Sequence, residues 1–139
     1  KVHTLSMIAS NSIFMAKGSF DDLWPETVQA VHADRLQYGC VRFCYLPLDS
    51  HVSRRYHCQP QNEESANYVR PDFTSIHFGD PGYCQLSRRC SVKIGRGADD
   101  ESEMGVFHHL YQPQKETNLR VRLKEYLRFG SEAGIFYES

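Results

Sequence analysis

Residues 38–45 read Tyr-Gly-Cys-Val-Arg-Phe-Cys-Tyr and carry the clearest strand pattern in the chain. Successive side chains of a strand point to opposite faces, so Val41, Phe43 and Tyr45 share one face. We predict that this apolar face is buried and that Pro47 ends the strand. The opposite face carries Cys40, Arg42 and Cys44.

The sequence before this strand suggests further short strands. Residues 2–16 contain two largely apolar runs, 5–9 and 13–16, separated by the small polar residues 10–12. This pattern favours two strands joined by a tight corner. Residues 27–33 are also strand-like. We predict that 2–16 pairs with 27–33 on one side and faces missing polypeptide or a second chain on the other.

The sequence after this strand predicts long loops, short strands and one helix. Residues 73–78 and 134–137 are strand-like, and the run Gly-Asp-Pro-Gly at 79–82 is a strong turn signal. A helix is predicted over about residues 115–129, with Pro113 near its start and Gly130 past its end. Its apolar side chains fall within an arc of roughly 100°, which predicts packing on the sheet. They are Leu119, Leu123, Tyr126 and Leu127.

Composition limits the classes of protein that fit. The 139 residues suit one domain, and 40% hydrophobic residues predict a modest core. A net charge of -1 argues against a nucleic-acid partner and against a polybasic membrane surface. No apolar run is long enough to span a membrane, and the opening Lys-Val-His lacks signal-peptide features. Upstream sequence is therefore expected. The sequence does not determine location, and both a cytoplasmic and a particle-associated one fit.

The cysteines and histidines do not form a recognisable chemical motif. Structural zinc sites usually contain closely spaced pairs such as Cys-x2-Cys, and the chain has none. Cys40 and Cys44 would stand about 13 Å apart on one strand, too far for a disulfide. Reduced thiols are expected. If a bridge forms, it should join Cys40 or Cys58 to Cys84 or Cys90. No residue is assigned as catalytic, and neither a metal nor a cofactor is predicted.

Four short polar stretches resemble parts of known kinds of site. The acidic run Asp99, Asp100, Glu101 and Glu103 could supply paired carboxylates for glycan chemistry, although such runs are commonly solvated loops. The pairs 54–55 and 88–89 are arginines, each near a tyrosine, and could bind phosphate or glycan. The run Gly-Arg-Gly at 95–97 lacks the residues of a phosphate-binding loop.

Six stretches taken together resemble the C-terminal region of a family of large, uncharacterised bacterial proteins. The resemblance covers about residues 10–139. The stretches are 37–47 (Gln-Tyr-Gly-Cys-Val-Arg-Phe-Cys-Tyr-Leu-Pro), 54–60 (Arg-Arg-Tyr-His-Cys-Gln-Pro), 73–76 (Phe-Thr-Ser-Ile), 79–86 (Gly-Asp-Pro-Gly-Tyr-Cys-Gln-Leu), 96–105 (Arg-Gly-Ala-Asp-Asp-Glu-Ser-Glu-Met-Gly) and 112–120 (Gln-Pro-Gln-Lys-Glu-Thr-Asn-Leu-Arg).

The resemblance implies a mainly β fold: the end of a right-handed parallel β-helix with a C-terminal helix and long loops. Residues 1–46 would be the terminal coils and residues 47–139 a C-terminal cap within one domain. Genes of this family often lie among genes for contractile, phage-tail-like particles. The resemblance therefore implies a non-catalytic structural or binding module of a tail-like assembly, with a protein partner or upstream polypeptide at residues 2–16.

The alternative is part of a carbohydrate-binding or carbohydrate-cleaving β-helix protein. A cleft that places Asp or Glu beside Arg42, Arg54 or Arg88 would favour this alternative, because an assembly module should lack one. The chain departs from the family at Cys44 and Cys84, where Ser and Ala are expected, and in its short insert at 60–70. These departures weaken any functional role for the two thiols.

Overall fold

The computed structural model describes residues 5–16 and 30–135. Its sheet contains three short parallel strands in the order β1 (Met7–Ser10), β2 (Gly39–Arg42) and β3 (Arg54–Tyr56). The strands are stacked in register, with Met7 opposite Gly39 and Cys40 opposite Arg54. Val41 therefore lies between residues of both neighbouring strands and is fully buried.

The same corner follows each strand. The residue after β1 is Asn11, after β2 Phe43 and after β3 His57, and all three adopt positive φ angles of 52°, 50° and 49°. These positions are stacked as well, since Asn11 N donates to Arg42 O and Phe43 N donates to Tyr56 O. A left-handed residue reverses the strand alternation. The corners therefore limit every strand to three or four residues.

The corner at Phe43 corrects the predicted strand 38–45. β2 ends at Arg42, and after the left-handed Phe43 it is Cys44 and Leu46 that point into the core. Val41 is buried as predicted, whereas Phe43 and Tyr45 are half-buried. The first core cluster consists of Val41, Cys44, Leu46 and Cys58, with Met7, Ala9, Phe14, Val31 and Val52 packed against it.

The N-terminal stretch pairs differently from the prediction. β1 pairs with β2, and residues 30–33 form no ladder with it; residues 27–29 of the predicted partner lie outside the described residues. Val31 and Ala33 instead exchange backbone hydrogen bonds with His51. Among the described residues, β1 is an edge strand of the sheet.

The chain after β3 forms helices and turns. Helix α1 (Glu63–Tyr68) begins with a capping box between Asn62 and Ser65. Helix α2 (Val92–Gly95) is short, and a 3-10 helix (His108–Leu110) leads into α3 (Gln112–Tyr126). The second core cluster lies here and consists of Val69, Ile94 and Met104, with Ile13, Tyr45, Leu86 and Cys90 against it.

The architecture corrects the predicted fold class. Of the described residues, about 24% are helical and 17% lie in strands or bridges, and they show three short parallel strands instead of a right-handed β-helix. The mainly β prediction is therefore wrong. Residues 73–78 are not a strand either, because only Phe73 and Ser75 make isolated bridges. The turn at 79–82 forms, with Tyr83 N donating to Asp80 O. Residues 136–137 of the last predicted strand lie outside the described part.

Helix α3 exists but does not pack as predicted. It begins three residues before the predicted start and ends at Tyr126, and it buries no side chain. Leu119 is 48% exposed, and Leu123 and Leu127 are half-buried. The predicted apolar face is therefore not covered by the sheet. No helix in the described part of the chain is long and apolar enough to cross a membrane.

Candidate functional site

A cavity of about 760 Å³ lies between the first half of α3 and the segment that leads through α2. Its volume is in the range of small-molecule sites in proteins. We call it the α3 cavity. Its apolar lining includes Leu86, Val92, Pro113 and Leu119, and its charged lining consists of Arg88, Arg96, Glu103, Lys115, Glu116 and Arg120.

Local structure at the start of α3 positions this helix over the cavity. Tyr111 adopts a left-handed conformation with φ 51°, which ends the 3-10 helix and redirects the chain. Pro113 follows in the first turn, where its fixed φ suits a helix and its missing N–H is not needed. Gln114 Nε2 then donates to Asp100 O at 2.9 Å and ties the helix to the neighbouring loop.

Two arginines hold Glu116 in the cavity wall. Arg88 Nη2 donates to Oε2 at 3.0 Å, and Arg120 donates to Oε1 through Nε at 3.1 Å and Nη2 at 2.8 Å. Arg120 lies one turn after Glu116 on α3, whereas Arg88 comes from the opposite side of the cavity. The Arg88–Glu116 pair thus links the two walls, and both carboxylate oxygens of Glu116 are engaged.

Glu103 is the buried charge of the cavity. The residue is only 8% exposed. Desolvation by burial raises the pKa of its carboxyl, and the neighbouring His108 opposes that rise. Among residues 5–16 and 30–135, no side chain or backbone group donates a hydrogen bond to this carboxylate. The carboxylate oxygens themselves are not fully buried, so they face the cavity and can be solvated there. Glu103 is therefore available to a ligand.

Tight packing fixes the loop that carries Glu103. Its neighbours Ser102 and Met104 are almost fully buried, and Met104 N donates to Ile94 O at 3.0 Å. Gly97 lies against the same loop, where an added Cβ would come within 2.5 Å of Met104 Cε and 2.0 Å of Lys93 O. Only glycine fits at this close approach.

A polar network joins this loop to the β1 corner. Asp99 N donates to Asn11 Oδ1 at 3.2 Å, which fixes the orientation of the Asn11 amide. Its Nδ2 therefore donates to Asp99 Oδ1 at 2.7 Å and to His108 Nε2 at 3.1 Å. Because Nε2 accepts, the proton of a neutral His108 lies on Nδ1, which donates to Ser102 Oγ at 2.6 Å. The hydroxyl of Ser102 then donates to Asp100 Oδ1 at 2.5 Å.

This network is not a catalytic triad. A triad places the histidine between the serine and the carboxylate, whereas here Ser102 lies between His108 and Asp100. Ser102 is also fully buried, so no substrate reaches its hydroxyl. Desolvation alone would raise the pKa of Asp100, but two hydrogen bonds from Ser102 and the nearby His108 together lower it. The arrangement stabilises the loop.

The same residues do not make a convincing metal site. Ligand atoms of Asp99, Asp100 and His108 lie within 4.8 Å of one another. Both nitrogens of His108 are already hydrogen-bonded, to Asn11 and to Ser102. An ion would have to displace both partners. No further cluster of this kind occurs among the residues that the structure describes.

Two of the thiols, those of Cys44 and Cys90, are shielded by the core and are not activated as nucleophiles. Burial raises the pKa of Cys44 and, likewise, that of Cys90, so both favour the neutral thiol. All five cysteines are free. The predicted partners for a bridge are not brought together: Cys58 shares a core cluster with Cys44, whereas Cys90 packs against the second cluster.

The structure places the arginine pairs that the sequence suggested as sites in different surroundings. Of the arginines weighed as sites, Arg88 lines the α3 cavity beside Glu116, whereas Arg54 is exposed on β3. Arg55 donates to Ser50 O. The tyrosine near each pair is engaged elsewhere, since Tyr56 contacts the ring of His57 and Tyr83 that of Phe78.

Sequence reasoning missed the cavity residues on α3. Lys115, Glu116 and Arg120 were not identified as candidate site residues. The spacing of Glu116 and Arg120, four residues apart, was the available signal for an ion pair. Nothing in the sequence indicated that Arg88 would join them from 28 positions away.

No protein-family model, no curated protein and no solved structure matches the chain. The geometry of the cavity is therefore the basis for a functional proposal.

Proposed function

We propose that the chain is a non-catalytic carbohydrate-binding module whose ligand occupies the α3 cavity. One observation carries this proposal: the cavity places Glu116 beside Arg88 and leaves the buried Glu103 without a hydrogen-bond partner among the described residues. A cleft with a carboxylate beside Arg88 was the feature that distinguishes the carbohydrate alternative from an assembly module.

The lining suits a hydroxyl-rich ligand. Carboxylates accept hydrogen bonds from hydroxyl groups, and arginine and lysine donate to hydroxyl and ring oxygens. Apolar side chains between them, such as Leu86 and Pro113, offer contact surface to the C–H groups of a sugar ring. Polar groups that fix orientation on a partly apolar lining are typical of small-molecule sites.

The surroundings of the two carboxylates in the α3 cavity favour binding of a sugar over its cleavage. A glycosidase commonly needs one carboxyl as an acid and a second, free carboxylate as base or nucleophile. Glu103 and Glu116 are the carboxylates of the described cavity lining. Both oxygens of Glu116 are engaged by Arg88 and Arg120. No free second carboxylate remains for the reaction.

Calorimetric titration with a set of neutral and acidic trisaccharides tests this proposal. Leu119→Trp should fill the cavity and weaken saccharide binding at least about tenfold. Val121→Trp is the matched control, because Val121 is similarly exposed on α3, at 52%, but does not line the cavity. Absence of saccharide binding by the wild type, or equal affinities of the two variants, would contradict the proposal.

A second candidate, an assembly module, is supported by β1. This strand is a sheet edge within the described part of the chain, and Ile8 on it is 85% exposed. Residues 5–16 carry no charge, whereas natural edge strands are usually protected by charges or proline. Ile8→Lys should abolish any concentration-dependent association seen by analytical ultracentrifugation. Unchanged association would remove β1 from the interface.

A further inference from the structure

The charges in the α3 cavity are unevenly paired. Arg88 and Arg120 share Glu116, whereas Arg96 and Lys115 have no ion pair among residues 5–16 and 30–135. Glu103 lines the same cavity, also without an ion pair within the described chain. The cavity therefore offers two exposed cations and one carboxylate without a hydrogen-bond partner to whatever occupies it.

We infer that the α3 cavity selects a carboxylated sugar, whose carboxylate binds Arg96 and Lys115 and whose ring hydroxyls donate to Glu103. This inference rests on the proposed function, because it specifies which carbohydrates the cavity accepts. A carboxylate matches the planar donor fork of Arg96, with Lys115 as a second point charge. The hydroxyls of the same sugar supply the hydrogen bonds that Glu103 lacks.

Other small anions and zwitterions satisfy these groups less well. A phosphate meets the two cations, but its P–OH donors lie on the anion itself, so contact with Glu103 would bring two negative charges together once Glu103 is ionised. An amino acid would place its ammonium group on Glu103, which requires a buried ion pair at a high desolvation cost. A carboxylated sugar carries its negative charge on the carboxylate and its uncharged donors on separate ring hydroxyls. One molecule can therefore place its carboxylate on the two cations and its hydroxyls on Glu103.

The test compares three probes with the full chain at low ionic strength: trigalacturonic acid, the neutral galactotriose and inorganic phosphate. We expect the acidic sugar to bind about tenfold tighter than the neutral one. The preference should disappear in Arg96→Gln and Lys115→Gln. It should persist in Arg89→Gln, because Arg89 is exposed and outside the cavity lining. Circular dichroism of each variant confirms that it is folded.

A second set of variants tests the contact between the sugar and Glu103. Glu103→Gln keeps an acceptor oxygen and should retain sugar binding, whereas Glu103→Leu should lose about tenfold for both trisaccharides. Glu101→Gln, on the same loop but exposed, should behave as wild type. Equal affinities of the Glu103→Gln and Glu103→Leu variants would overturn the contact with Glu103.

The outcomes separate the two proposals. Equal binding of the acidic and neutral sugars overturns the selection for a carboxylate and leaves carbohydrate binding intact. Phosphate that binds as tightly as the acidic sugar also overturns it, because the cavity would then be a general anion site. Absence of binding by either sugar overturns the carbohydrate-binding function itself.

Discussion

Each of the two regions, the β-strand region up to Pro60 and the region from residue 61 to 135, has a hydrophobic core cluster, but their longest elements are held in place differently. In the first, parallel backbone pairing stacks three strands over a core of Val41, Cys44, Leu46 and Cys58. In the second, the longest helix buries no side chain and is attached through Gln114 and Glu116. The first region therefore holds its strands by backbone pairing over a buried core, and the second presents an accessible cavity beside α3.

A pair of leucine truncations tests this contrast most strongly. Leu46 is fully buried, so Leu46→Ala should cost about 2–5 kcal/mol in the free energy of unfolding. Leu123 is half-buried on α3, so Leu123→Ala should cost about 1 kcal/mol or less. Urea denaturation of both variants measures the difference. Equal losses would mean that α3 belongs to the core after all.

Two nearby glycines test how tightly the loop under the cavity is packed. Gly97→Ala should cost about 1–3 kcal/mol, because its Cβ would collide with Lys93 O and Met104 Cε. Gly95→Ala is the control, since no atom lies within 4 Å of the added Cβ. Thermal unfolding compares the two. A destabilised Gly95→Ala beside an unaffected Gly97→Ala would contradict this packing.

Removal of the Asn11 side chain should break the polar network that links the two regions. Asn11→Ala leaves Asp99 and His108 without their partner and should cost about 1–3 kcal/mol. Asn118→Ala, on the exposed face of α3, should be nearly neutral. Nitrogen NMR of the His108 ring should show the proton on Nδ1 in the wild-type protein. A proton on Nε2 would refute the proposed network.

The smallest predicted effect is the contribution of Glu103 to the pH dependence of stability. Its pKa is raised by burial, so its contribution to stability is present at acid pH and is lost as the pH rises through the folded-state pKa. Glu103→Gln lacks this titration, and its stability relative to wild type should increase from about pH 4 to about pH 8. Melting temperatures of the variant and the wild type across this range show whether the stability difference rises or falls with pH. A relative decrease would contradict a raised pKa.

Sequence periodicity predicted the existence of α3 and a strand around Val41, but not their surroundings. The alternation over 38–45 assumed extended backbone throughout, and the left-handed Phe43 reversed it after Arg42. The leucines of α3 do follow a helical period, yet the helix lies over the α3 cavity and not on the sheet. Local patterns describe which residues share a face but not what that face meets.

By itself, the sequence determined local features: the helix after Pro113, the turn at 79–82, the buried Val41 and a nearly neutral charge. These depend on backbone preferences and side-chain spacing within a few residues. Only the tertiary structure decided the order of strands and the cavity. Arg88 meets Glu116 across 28 positions, and Asn11 meets His108 across 97. Contacts over such separations depend on how the whole chain packs, and no local pattern specifies them.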